Sequence, residues 1–248
     1  MTGVINESKI LAVIPARGGS KGVPGKNLRH VLGHPLIYYM IKYAQASKYI
    51  TKIVVSTDDE KIAGVARNFG AEAPFLRPKE MAQDTSPLNP ALKHALDYYD
   101  STGWRADAVI SLQPTSPLIT TEIIDSVIGL FLETGCDSAV TVSEIKHGHP
   151  YRAKKLHGDG RLVNFCTEFD GEKFFNRQER LPAYAYNGAI YLRKRELVEN
   201  WDGKDMGLGP DCRGFVIGHE YAVNIDDEFD LKLAEILLKE RFHENNTL

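Results

Sequence analysis

The chain has 248 residues, 43% hydrophobic, 25% charged and 9% aromatic, which excludes collagen-like, disordered and disulfide-stapled classes. Thirty basic and 33 acidic side chains leave a net charge of −3, so no general affinity for nucleic acid or an anionic membrane is expected, and any anion site must be local. No apolar run approaches the ~20 residues of a membrane span. Met1-Thr2-Gly3-Val4-Ile5-Asn6-Glu7 lacks the pattern of a signal peptide, and Cys136, Cys166 and Cys212 form neither a disulfide framework nor a CxxC site. A reducing cytoplasm is the expected location.

In chain order, Ile10 to Ile14 reads as a buried strand stopped by Pro15. A glycine-rich loop follows, then a helix opening at Pro35 with Leu36, Met40, Tyr43 and Ala44 on one face. Ile53 to Val55 is a strand. Asp58 or Asp59 can cap a helix striped by Ile62, Ala63, Ala66 and Phe69 and stopped by Gly70. Pro87 to Asp100 is predicted as helix, Ala108 to Leu112 as strand, Glu122 to Thr134 as helix ended by Gly135, and Ser138 to Val142 as strand. From about Ser143 to Tyr186 this rhythm breaks into polar, glycine-rich sequence, read as an insertion of short strands and loops. Core-like pattern returns at Ala189 to Leu192 and at Tyr221 to Ile225, before a final helix striped by Leu231, Ala234, Leu237 and Leu238. Alternating strands and helices imply one α/β domain of three layers around a mostly parallel twisted sheet.

The most informative stretch runs from Pro15 to Arg29, PARGGSKGVPGKNLR, directly after the first strand. It holds four cations and no acid, leaving about −7 on the rest of the chain. Glycines let backbone N–H groups approach a phosphate closely, and the carboxyl end of a parallel strand is where open α/β sheets bind ligands. The spacing fails as a P-loop, since Ser20 stands where glycine is needed and Asn27 follows Gly25-Lys26. It also fails as a dinucleotide fingerprint, because Gly18, Gly19 and Gly22 are misplaced and Pro24 interrupts the helix. A flexible basic surface loop is the plainer alternative.

Together with Leu112-Gln113-Pro114-Thr115-Ser116-Pro117-Leu118 and Arg177-Gln178 through Tyr186-Asn187-Gly188-Ala189-Ile190-Tyr191, the first loop resembles the CMP-sialic acid synthetases (acylneuraminate cytidylyltransferases). The resemblance runs over nearly the whole chain. It implies a Rossmann-like nucleotidyltransferase core over 1–142 and 187–248, with insertion 143–186 dimerising and capping the sugar site. The activity implied is transfer of CMP from CTP to the anomeric hydroxyl of an acidic nine-carbon sugar, by in-line attack on the α-phosphate with loss of pyrophosphate. Ala16, Arg17, Gly18, Gly19, Ser20, Lys21, Lys26, Asn27, Arg77 and Ser86 are then expected at the nucleotide. Arg17 and Lys21 would act catalytically on the α-phosphate, where charge builds up as pyrophosphate leaves. Asp84-Thr85-Ser86 also reads as an ordinary loop entering a helix.

Gln113, Thr115 and Ser116 supply uncharged donors and acceptors for a polyhydroxylated sugar, although a rigid proline-braced turn looks the same. Arg177, Gln178, Tyr184 and Asn187 complete the expected sugar set, with Arg177 facing the sugar carboxylate. Phe174 and Phe175 either wall the N-acyl group or hold down an irregular segment. In Asn224-Ile225-Asp226, strand alternation would point residues 224 and 226 the same way, so Asp226, with Asn224 as a weaker ligand, is the expected Mg²⁺ site and Asp226 counts as catalytic. The family pattern has aspartate at both positions. Asp227 reads as the final helix cap. His147, His149 and His157 are read as polar surface rather than a metal set, and Arg193-Lys194-Arg195 as a solvated face. The alternatives are a relative using another nucleotide or sugar, such as GTP with a sugar-1-phosphate or CTP with Kdo, and a catalytically silent nucleotide-binding regulator, which Asn224 suggests. The expected partners are CTP, the sugar acid and a second copy of the chain.

Overall fold

A computed structural model describes residues 8–20, 22–167 and 180–245, with side chains to His243. Strand β1 (Ile10–Pro15) is apolar throughout and buried on both faces, the mark of a central parallel strand. It lies between β4 (Ile50–Ser56) and β5 (Ala108–Leu112), parallel to both. The six-stranded sheet runs β10–β6–β9–β5–β1–β4, where β6 is Ser138–Glu144, β9 Tyr184–Lys194 and β10 Cys212–Val216. Only β9 is reversed, pairing antiparallel with β5 and β6. The mostly parallel sheet expected from the sequence is therefore present.

Side-chain alternation along β1 separates two apolar layers. Ile10, Ala12 and Ile14 pack with α1 (Leu36–Ala46), α2 (Glu60–Asn68) and α4 (Thr121–Thr134), whereas Leu11 and Val13 pack with α3 (Asn89–Ser101) and α5 (Arg195–Glu199). A third cluster joins Val23, Val31, Leu36 and Leu118 to Ile225 and to Leu231, Ala234 and Leu238 of α6 (Glu228–Asn245). That cluster pins the first loop and the 225 segment to the body of the protein. Caps set the helix ends. Asp59 accepts from Lys61 N, Thr120 caps α4, and Gly135, at φ 65°, closes α4 in the left-handed conformation that glycine adopts without strain.

Three sequence expectations change. Residues 221–227 form turns and coil, while the edge strand lies earlier, at Cys212–Val216, where alternation is masked by Arg213 and Gly214. The solvated face expected at Arg193-Lys194-Arg195 is wrong for two of its three members, since Arg193 and Arg195 are buried. Arg195 is neutralised there by Asp100 and by Glu199 at 2.7 Å. His149 is likewise buried rather than surface, its ring lying 3.0 Å from Leu181 O and accepting from Tyr151 N. Within the insertion, β2 (His30–Val31) and β3 (His34–Pro35) having closed the first loop earlier, the later pair β7 (Lys154–Leu156) and β8 (Leu162–Asn164) forms a hairpin. Among the described residues, no helix is long and apolar enough to cross a membrane.

Candidate active site

β1, β4 and β5 end at the same sheet edge, and the chain crosses from one side of β1 to the other between β4 and β5. Such a switch point opens a crevice beyond the carboxyl ends of the strands. A cavity of about 590 Å³ lies there. Its walls carry Arg17, Ser20, Lys26 and Asn27 from the first loop, Arg77, Gln83, Asp84 and Ser86 to Leu88 from a second, Gln113 and Thr115 from a third, and Asp226.

The first loop is held open by its own polar groups. Ala16 N donates to Ser56 O at 3.0 Å and Gly18 N to Asp58 Oδ1 at 2.9 Å, fixing the exit from β1. Asn27 is buried and donates from Nδ2 to Arg17 O at 2.9 Å, tying the end of the loop to its beginning. Ala16 and Gly18 thus shape the loop without lining the cavity, and Gly19 is exposed outside it. At Gly22 the backbone meets the 226 segment so closely that a Cβ would sit 2.1 Å from Asp226 O, so only glycine fits. Lys26 Nζ donates to Ile225 O and stands 3.6 Å from Asp226 Oδ1.

Arg77 is anchored by its N–H to Thr57 O at 2.7 Å and is buried, with Nε lacking a partner. Burial pushes its guanidinium below the usual arginine range, Asp58 pulls it back up, and Arg17 pushes it further down. Arg17 pairs with Asp84 at 2.6 Å, from one wall of the cavity to another. Ser86 also lines the cavity, but its Oγ donates to Glu80 O at 2.9 Å and accepts from Gln83 N at 3.1 Å, which fixes the turn carrying Asp84.

Gln113 N donates to Ala189 O, and Ile225 N donates to Thr115 O at 2.8 Å, so the third loop and the 225 segment hold one another. Ser116 is buried off the cavity with Oγ unpartnered. Asn187 braces β6, its Oδ1 accepting from Thr141 Oγ1 at 2.7 Å and its Nδ2 donating to Ser143 Oγ at 3.1 Å, and Tyr184 is exposed at the start of β9. These three do not join Gln113 and Thr115 at the cavity. Lys21, Phe174, Phe175, Arg177 and Gln178 lie outside the described residues.

Asn224 and Asp226 do face the same way, though by coil rather than strand geometry. Asn224 Nδ2 donates to Asp226 Oδ2 at 3.1 Å and so orients that carboxylate. Asp226 is 75% exposed towards the cavity, a hard oxygen donor beside cations suited to phosphate. Among the described residues no group of three or more His, Cys, Asp or Glu could hold a metal by itself. One free-standing carboxylate fits Mg²⁺, which retains waters and commonly takes one or two protein carboxylates plus substrate phosphates. Asp227 caps α6, accepting from Phe229 N and Asp230 N.

A second cavity of about 310 Å³ adjoins the first at Pro87 and Leu88 and was not legible in the sequence. Tyr191, Trp201 and Met206 give it apolar walls, and Arg193 and Asn89 lie at its buried end. Arg193 donates from Nη1 to Asn89 Oδ1 and to Met206 O at 3.2 Å, and burial pushes it down to about 10, so it stays cationic at neutral pH. Its Nε and Asn89 Nδ2 have no partner, which leaves two buried donors in want of an acceptor. The available signal was a charged residue two positions after Tyr191, on the same side of a strand otherwise apolar.

The cytidylyltransferase family model matches residues 11–197. The CMP-N,N'-diacetyllegionaminic acid synthase of Legionella pneumophila is 36% identical over 93% of this chain and 97% of its own. The pseudaminic acid cytidylyltransferase of Campylobacter jejuni is 33% identical over the same shares. A solved structure of CMP:2-keto-3-deoxy-manno-octonic acid synthetase complexed with CTP superposes with TM-score 0.71 over 94% of this chain and 100% of that one, at 19% identity, which is a likeness of fold.

Proposed function

The chain belongs to the cytidylyltransferase family and, within it, to the CMP-nonulosonic acid synthetases, and from that premise we propose the roles of its residues. CTP and a sialic-acid-like nonulosonic acid give the CMP-sugar and pyrophosphate. The anomeric hydroxyl gives its proton to water as its oxygen forms the new bond to the α-phosphorus, the bond from that phosphorus to the α,β-bridging oxygen breaks, and pyrophosphate carries that electron pair away. Arg17, Lys26 and Arg77 converge on one cavity beyond β1 and β5, and this observation carries the reading. Cations already gathered at one cavity neutralise phosphate charge as it develops on the leaving group. Lys21, in the same loop, is assigned to the α-phosphate with Arg17, whose two-pronged guanidinium is also assigned to the bridging oxygen that leaves with pyrophosphate. Mg²⁺ held by Asp226, and oriented through Asn224, would neutralise further phosphate charge. That hydrogen bond gives Asn224 a positive role and removes the main ground for a silent regulator.

Gln113 and Thr115, which the third loop contributes to the cavity wall, are assigned to the sugar. The adjoining cavity, with its two unpartnered donors, is assigned to an oxygen-bearing substituent of the same sugar acid. We further propose a homodimer through the insertion, where Leu156, Leu162, Val163, Phe165 and Leu181 are exposed together with Tyr184 and Tyr186. A reducing cytoplasm suits three free cysteines. Pyrophosphate release should be measured with CTP and Mg²⁺ against N-acetylneuraminate, diacetyllegionaminate, pseudaminate and Kdo in turn. Turnover with a nine-carbon acid supports the reading; none with any of the four, or turnover with GTP and a sugar-1-phosphate instead, sinks it.

A further inference from the structure

Arg17 spends its charge on Asp84. The two side chains meet at 2.6 Å from loops on different walls of the larger cavity, each about a third exposed. We propose that Asp84 is an internal counter-ion of the triphosphate site, holding Arg17 until a phosphate oxygen replaces it and taking Arg17 back when pyrophosphate leaves. This rests on the reading that the cavity binds a nucleoside triphosphate.

Three observations support exchange rather than a permanent brace. Exposure makes the pair weak, because water screens an ion pair that it can reach and competes for both partners. Arg195, which pairs with Asp100 in the same protein, has no such freedom, as its own side chain is 6% exposed against 32% for Arg17. Secondly, Asp84 is presented by a fixed turn: Ser86 Oγ binds Glu80 O and Gln83 N, so the carboxylate stands at the cavity wall by construction. Thirdly, Arg17 adds to the charge burden on buried Arg77, whose own offsetting charge comes from Asp58, so Asp84 is the carboxylate that balances Arg17. A phosphate oxygen offers Arg17 the same charge-assisted hydrogen bond that Asp84 does. Exchange therefore conserves bonding while moving the carboxylate's repulsion onto the incoming polyphosphate. Asp84 accordingly weakens the grip on substrate and product alike and promotes pyrophosphate departure as a positioning residue acting through Arg17.

Calorimetric titration of the full chain with CTP, tripolyphosphate and pyrophosphate, in Mg²⁺, tests this. Asp84→Asn and Asp84→Ser should each bind all three about three- to tenfold more tightly than the parent. In turnover, the KM for CTP should fall and product inhibition by pyrophosphate should tighten, a pairing that loss of a structural brace does not produce. Against an Arg17→Ala background the same substitutions should gain less than about twofold. Unchanged or weaker binding in both Asp84 variants, or an undiminished gain without Arg17, overturns the proposal while CTP binding by the parent leaves the active-site reading standing. A parent that binds neither CTP nor tripolyphosphate overturns both.

Discussion

Single atoms decide whether the first loop can work. Gly22 lies against Asp226 O with no room for a Cβ, so Gly22→Ala must push apart the loop and the segment that carries Asp226. A misplacement of about 1 Å at a reacting centre costs on the order of 100-fold, and kcat/KM for CTP should fall by that order while the melting temperature changes little. Arg193 makes the complementary case. Arg193→Met keeps the length of the side chain and the apolar wall but removes the unpartnered donor, so KM for the sugar acid should rise about tenfold with KM for CTP unchanged. Equal effects on both substrates would detach Arg193 from the sugar. Glycine density and segregated charge are local signals and drew attention to the loop of Arg17, Lys26 and Asn27, whereas Arg77 was expected from the family resemblance. Arg193 and Asn89 are 104 positions apart and become a pair only through tertiary packing, which no local pattern encodes.

Helices and strands set how those atoms are presented. α6 begins one residue past Asp227, which accepts from two backbone N–H groups at its start, so the cap and the carboxylate of Asp226 are neighbours in sequence with separate tasks. Asp227→Ala should cost about 1 kcal/mol and lower the melting temperature by roughly 2–4 °C, measured by scanning calorimetry, with CTP turnover retained at temperatures where the protein is folded. The parallel strands, their caps at Asp59 and Gly135, and the helical stripes followed from periodicity and end signals. β10 escaped notice because an edge strand with a charged and a glycine residue lacks a continuous apolar run. Coil at 221–227 looked like a strand because Tyr221, Val223 and Ile225 are anchored against helices, giving alternation without a ladder.

On the scale of the whole molecule, the described surface of the insertion exposes more apolar side chain than a solitary domain ordinarily does. Leu156 and Phe165 are 73% and 58% exposed. Leu156→Glu with Phe165→Glu should convert a dimer to monomer in sedimentation velocity, leaving the far-UV circular dichroism unchanged, because neither side chain belongs to the core. A parent already sedimenting as a monomer would refute the dimer. Length and the broken strand–helix rhythm led to the expectation of one domain with an insertion, yet a count of apolar residues cannot say which of them stay uncovered.

The insertion leaves and re-enters through paired strands: Glu144 of β6 stands opposite Tyr184 of β9, and Ile145 N closes the pair on Ala183 O at 2.7 Å. Both stems are therefore adjacent and already in register before the excursion begins. Such a graft point tolerates replacement of everything between the stems, since the chain closure is settled by the ladder beneath it. Chimeras exchanging 146–182 with the corresponding stretch of a relative should keep the cavity beyond β1 and β5, since its described walls lie outside the exchanged segment.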